Sequence, residues 1–158
     1  MTILFHPNIR NLMIGRGILA GGLTSACGIT IYSGIQPTAA AIAADWATYN
    51  SLNAKFLAHF TGAIWSHPLS GTTTFCSITT FPPATPATNT GTGSWCILWM
   101  TNPTGTQLSS TTLPSTQFII GPVSNLTGNG IVRFSTDTNF TIGVSRTIGD
   151  GTIGATST

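Results

Sequence analysis

Apolar and polar residues alternate over short stretches along most of this chain, and that period of two predicts strands. Gly28 to Gly34 is the first such stretch, with Ile29 and Ile31 on one face and Thr30 and Tyr32 on the other. Lys55 to Thr61 repeats the pattern, with Phe56, Ala58 and Phe60 on a common face. Thr72 to Phe81 is the clearest alternation, setting Phe75, Ser77, Thr79 and Phe81 against Cys76, Ile78 and Thr80. Ser94 to Met100 is apolar without a break and short, which predicts a central strand covered on both faces. Gln117 to Val123, Ile131 to Ser135 and Asn139 to Thr147 complete the set, the last through Phe140, Ile142 and Val144.

Two stretches follow helical spacing instead. Ile9, Leu12 and Met13 lie on one helical face behind Asn8 as cap, and Gly15, Gly17, Gly21 and Gly22 would end that helix early. Pro37 opens an alanine-rich run, Thr38 to Tyr49, in which Ile42, Trp46 and Tyr49 fall at i, i+4 and i+7. Proline suits a first helical turn and alanine is the best helix former, so one short helix with a core-facing aromatic stripe is expected. Between the elements lie the Pro/Thr/Gly stretch Ala84 to Gly93, the turns Asn102 to Gly105 and Gly128 to Gly130, and a Gly/Thr-rich tail from Gly149.

Six to eight short strands spaced near ten residues, with one or two short helices near the N-terminus, predict an all-β fold, an antiparallel sandwich or barrel. The expected division is an arm or short helix over residues 1–22 and a single β-rich domain over 23–158. Ile31, Phe75, Ile78, Ile97, Trp99, Ile119, Phe134 and Ile142 are the expected core.

Composition sharpens this. Only 5% of residues are charged, where a soluble domain carries roughly a quarter. Polarity comes from Ser, Asn and 29 Thr. Hydroxyls and amides are cheaper to desolvate than charges, so such a surface suits burial against a partner if its hydrogen bonds are remade. The competing explanation is a secreted or surface protein with a neutral face. Net charge is +2, and the five bases, Arg10, Arg16, Lys55, Arg133 and Arg146, are scattered, which argues against nucleic-acid binding.

Chemistry has little to work with. Glu is absent, and the three acids, Asp45, Asp137 and Asp150, read as turn residues rather than a catalytic pair. His6, His59 and His67 lack metal-ligand spacing, and no nucleophile elbow or phosphate-cradling loop is present. No enzyme, cofactor, metal or small-molecule substrate is expected. Cys27, Cys76 and Cys96 read as buried thiols made in a reducing cytoplasm, one disulfide plus a spare thiol being the alternative. Neither a signal peptide nor a membrane span is expected, because polar residues interrupt both candidate runs. The sequons at Asn125 and Asn139 are chance matches in a Thr-rich chain. Trp46, Trp65, Trp95 and Trp99 leave open a carbohydrate-binding module, which would need exposed rings as stacking platforms.

The segment Ile29 to Ala40, ITIYSGIQPTAA, resembles an IYSG-x-QP-x-A-A signature of small structural proteins of tailed phages. Arg10-Asn11 resembles the pair carried by that family's first helix, and Ser94-Trp95 its Ser-Trp strand. The likeness is closest over residues 1–60, and Ile42 to Asn53 reads as an insertion. The resemblance implies a virion protein, made in the host cytoplasm, with no catalytic residues. A capsid decoration or cement subunit is the leading expectation, and a tail tube, adaptor or fibre-associated subunit the alternative. Its partners would be further copies of itself and the major capsid or tail proteins. Phe5, Ile9, Arg10, Leu12, Met13 and Arg16 are the expected interface, unless the arm folds back on its own domain.

Overall fold

The computed structural model describes residues 4–5, 26–66 and 75–154. The strands are β1 (Leu4–Phe5), β2 (Cys27–Ser33), β3 (Phe56–Ser66), β4 (Phe75–Thr80), β5 (Thr85–Pro86), β6 (Gly91–Trp99), β7 (Phe118–Asn125), β8 (Val132–Phe134), β9 (Asn139–Phe140), β10 (Ser145–Arg146) and β11 (Ile148–Gly154). Two short helices, α1 (Ala39–Ala44) and α2 (Gly105–Leu108), and a 3-10 turn (Trp46–Thr48) lie between them. The fold is all-β, as the alternation predicts.

Seven strands pair in a closed circuit, β2–β3–β4–β11–β8–β7–β6 and back to β2, which makes the sheet a barrel. Every contact in the ring is antiparallel except β7 with β8, which run parallel. Closure removes the free edges that an open sheet would expose. Outside the ring, β9 extends β6 at Gly91 and Thr92, and β5 and β10 form a separate two-stranded ribbon.

Two apolar clusters follow from the parity of β2, β6 and β7. One set of side chains, including Ile29, Ile31, Cys96, Leu98 and Ile119, joins Phe60, Trp65, Phe134 and Phe140 in one core. The alternate set, Tyr32, Trp95, Ile97, Trp99, Phe118 and Ile120, forms a second core with Ile42 of α1, Trp46 and Leu108 of α2. β6 is therefore covered on both faces, as its unbroken apolar run predicts. Tyr32 stacks on Trp95 at 4.3 Å between ring centroids, and Trp46 meets Trp99 edge-on at 5.6 Å. Offset or edge-on aromatic pairs add about 0.5–1.5 kcal/mol beyond area burial.

The helices that carry this outer core are capped from the sequence. The Ala41 N–H donates to Thr38 Oγ1 at 3.1 Å, which fixes the start of α1. At α2, Thr104 and Gln107 form a reciprocal capping box. The expected helix over 38–49 breaks at Asp45, whose backbone leaves the helical region (φ −141°, ψ 68°), and resumes as the 3-10 turn. Ile42 and Trp46 are still buried together. The pattern did not predict α2, which lies between β6 and β7.

Several local expectations are corrected. Phe56 belongs to the outer core, whereas Ala58 and Phe60 belong to the other, because a register shift between Ile31 and Tyr32 of β2 falls opposite this point. Asn139 to Thr147 is two short strands rather than one, separated at Gly143, whose φ of 77° favours glycine. Ile142 is consequently 64% exposed and is not core. The tail is not a loose end through Gly154: β11 occupies a full place in the ring. Ile31, Ile78, Ile97, Trp99, Ile119 and Phe134 are buried as expected. The side chain of Phe75 and the expected helix at residues 9–13 lie outside the described residues.

Candidate functional site

The most connected polar group in the barrel runs from β6 through β2 to β3. Trp99 Nε1–H donates to Thr30 Oγ1 at 2.7 Å. Thr30 Oγ1 lies 2.9 Å from His59 Nδ1, and His59 Nε2 lies 3.1 Å from Asn102 Oδ1. The roles follow from the groups themselves. An indole is only a donor, and a carbonyl oxygen only an acceptor. Asn102 Oδ1 therefore requires the proton on His59 Nε2, so Nδ1 accepts from the Thr30 hydroxyl. The Trp99 N–H, the Thr30 hydroxyl and both ring nitrogens of His59 are thus all used. Gly28 permits this closeness, since a Cβ there would stand 2.7 Å from Asn102 Oδ1 and 2.8 Å from His59 Cε1. Burial lowers the His59 pKa, with hydrogen bonds to Asn102 and Pro103 pulling weakly the other way. The shift favours the neutral form of the ring.

Among the described residues the acids and arginines are also paired. Arg133 of β8 pairs with Asp150, its register partner in β11, and donates to Thr152 Oγ1 at 2.9 Å. Arg146 reaches Asp137 at 3.1 Å, Thr136 Oγ1 at 3.1 Å and the Asn139 carbonyl, which pins the turn before β9 to β10. Asp45 accepts from Thr48 Oγ1. Lys55 Nζ sits 5.4 Å above the Tyr49 ring. Among the described residues no group of three His, Cys, Asp or Glu is placed to hold a metal ion. Among them, too, no helix is long and apolar enough to cross a membrane.

An open cleft of about 420 Å³ lies beside His59, walled by Leu52, Phe56, Pro86 and Leu108 with Ser51 and Ser109. The two serine hydroxyls bond each other at 2.7 Å, and both ring nitrogens of His59 are engaged. Cys27 and Cys96 are buried thiols; burial pushes Cys27 up to about 12 and Cys96 higher still. Neither is a nucleophile at neutral pH.

Trp46, Trp65, Trp95 and Trp99 are all buried, none more than 3% exposed. A carbohydrate-binding module needs rings in solvent, so these four supply no stacking platform. Of the expected interface positions, only Phe5 falls among the described residues; Ile9, Arg10, Leu12, Met13 and Arg16 lie outside them. Leu4–Phe5 forms β1, antiparallel to β7 of the same chain, with Leu4 opposite Ile120 and Phe5 opposite Ile119. The sequence offered no signal for this pairing beyond the apolar character of the segment. The Thr30–His59–Asn102 chain was equally hidden, because its members are far apart in sequence.

No protein-family model matches the chain, and no curated protein or solved structure is significantly similar to it.

Proposed function

We propose that this protein is a structural subunit of a tailed-phage virion, a capsid decoration or cement protein that works through contacts with copies of itself and with the major capsid protein. One structural observation carries the reading. The described Asp and Arg side chains are tied into ion pairs and local hydrogen bonds and His59 into a buried network, and what faces outward is mostly hydroxyl, amide and apolar side chain. Such a surface has no reaction to perform, and it desolvates against a neighbour at low cost. The IYSG-x-QP likeness at Ile31 to Pro37 points to the same class. A closed barrel with capped helices is a rigid unit, which suits repeated, symmetric packing.

Mass spectrometry of gradient-purified particles from the source phage tests this. The chain should be present in a fixed ratio to the major capsid protein, and cryo-electron microscopy should place it on the head shell. Density on the tail instead would assign it as a tube, adaptor or fibre-associated subunit. Presence in the infected-cell lysate but absence from purified particles would refute the virion reading altogether.

A further inference from the structure

β7 offers two edges, and they are used differently. One is filled by β6 from Phe118 to Pro122. The other is divided: β8 takes Val123 to Asn125, and β1 covers Ile119 and Ile120. The stretch ahead of β8 is therefore a slot for a short extended segment, and Leu4–Phe5 occupies it.

The chain that links this segment to the barrel is longer than its own slot requires. Trp99 pairs with both Gly28 and Phe118, so β2, β6 and β7 lie side by side at this level, with Phe5 one strand further on. At about 4.8 Å per strand the direct gap from Phe5 to the start of β2 is about 14 Å. Residues 6–25 bridge it. At about 3.3 Å per residue that length of chain can reach about 66 Å, while a domain of this size is about 40 Å across. The same segment can therefore reach the slot of a touching neighbour.

We propose that the β7 slot is an exchange site, and that in the assembled state it receives the Leu4–Phe5 strand of a second copy of this chain. The inference rests on the reading of the protein as an assembly subunit and names the contact. The backbone hydrogen bonds made in the exchanged form are the ones made within a single chain. The choice between them is set by the local concentration of neighbours rather than by new contacts. Packing in a particle raises that concentration and favours exchange.

The test uses the full chain with the photo-crosslinker p-benzoyl-phenylalanine in place of Phe5. Equal amounts of 15N-labelled and unlabelled protein are unfolded, refolded together at concentrations rising to the millimolar range of a tethered segment, and irradiated. Peptide pairs joining position 5 to β7 are then read by mass spectrometry. Exchange predicts mixed-isotope pairs that grow with concentration towards half of the total. Pairs of a single isotope at every concentration would overturn the proposal. A second measurement removes dependence on that variant: the chain lacking residues 1–5 should keep its β-sheet spectrum and lose concentration-dependent dimers. Dimers undiminished by the deletion would also overturn it. Neither result bears on whether the chain is found in particles, so failure here is separable from failure of the virion reading.

Discussion

Thr30 is the joint of the buried polar chain, and replacing it with valine isolates what that joint contributes. Valine keeps the β-branched shape in β2 and removes only the hydroxyl. Two bonds are lost at once: the one Thr30 accepts from Trp99 Nε1 at 2.7 Å and the one it makes with His59 Nδ1 at 2.9 Å. Trp99 and Thr30 are both fully buried. The indole N–H has no water to turn to, and an orphaned buried donor costs about 1–3 kcal/mol. His59 is only partly buried and can recover some hydration, so its loss adds about 1 kcal/mol or less. The sum is about 1–4 kcal/mol, which in a chain of this length lowers Tm by about 2–16 °C. Thr30→Ser is the control, because it keeps both bonds and removes one methyl group, a change of about 1 kcal/mol. Urea unfolding followed by tryptophan fluorescence measures both variants. If Thr30→Val costs no more than Thr30→Ser, the directional chain from Trp99 to Asn102 is not a stabilising element and the argument fails.

Three further outcomes follow. Burial holds the His59 pKa below the ordinary 6.5, so the unfolded chain binds the proton first as pH falls; stability should be complete above about pH 6.5, decline below it, and level off once the folded form is also protonated, and urea midpoints across that range should flatten in His59→Gln. Gly121→Ala would place a Cβ 2.3 Å from Ile131 Cδ1, so calorimetry should show a loss of about 1–3 kcal/mol that is partly relieved when Ile131→Ala is added, and strictly additive losses would count against the contact. With Cys27 pushed up to about 12 and Cys96 higher, native protein at pH 8 should give up at most the Cys76 thiol to a maleimide, and three should titrate after denaturation; prompt native reaction of two or more would contradict the burial.

Legibility in the sequence tracked how directly each element is coded by side-chain pattern. β6 was plain because both of its faces are buried, which leaves no polar position to interrupt the run. β2 was plain because Ile29 and Ile31 turn to one core and Thr30 and Tyr32 to the other side. β11 was invisible for the opposite reason. Its fit depends on the absence of side chains: a Cβ at Gly151 would stand 2.4 Å from Ile78 Cδ1 and 2.9 Å from Trp65 Cη2. A glycine that makes room for a tryptophan carries no hydrophobic signal, and the segment reads as a tail. Phe56 and Ile142 were misplaced because strict alternation ignores a register shift and a turn glycine. The polar chain at His59 depends on pairing between distant strands, which periodicity cannot register. Burial of the tryptophans was legible for Trp46 through its helical stripe and for Trp95 and Trp99 through the unbroken run of β6, but not for Trp65.

The position of β11 has a consequence for how the chain is made. It is the last of the seven ring strands in chain order, yet it sits between β8 and β4, contributing the pairings that join the two ends of the ring. A nascent chain still threaded through the ribosome at this point can assemble β2, β3 and β6 but must hold β4 and β8 apart, each with an open row of backbone donors and acceptors. Such edges are the usual route to misassociation when many copies are translated together. Completion of the barrel thus waits until β11 has emerged and seated between β8 and β4. The interval between synthesis of β8 and the seating of β11 is when these two edges are open to other chains.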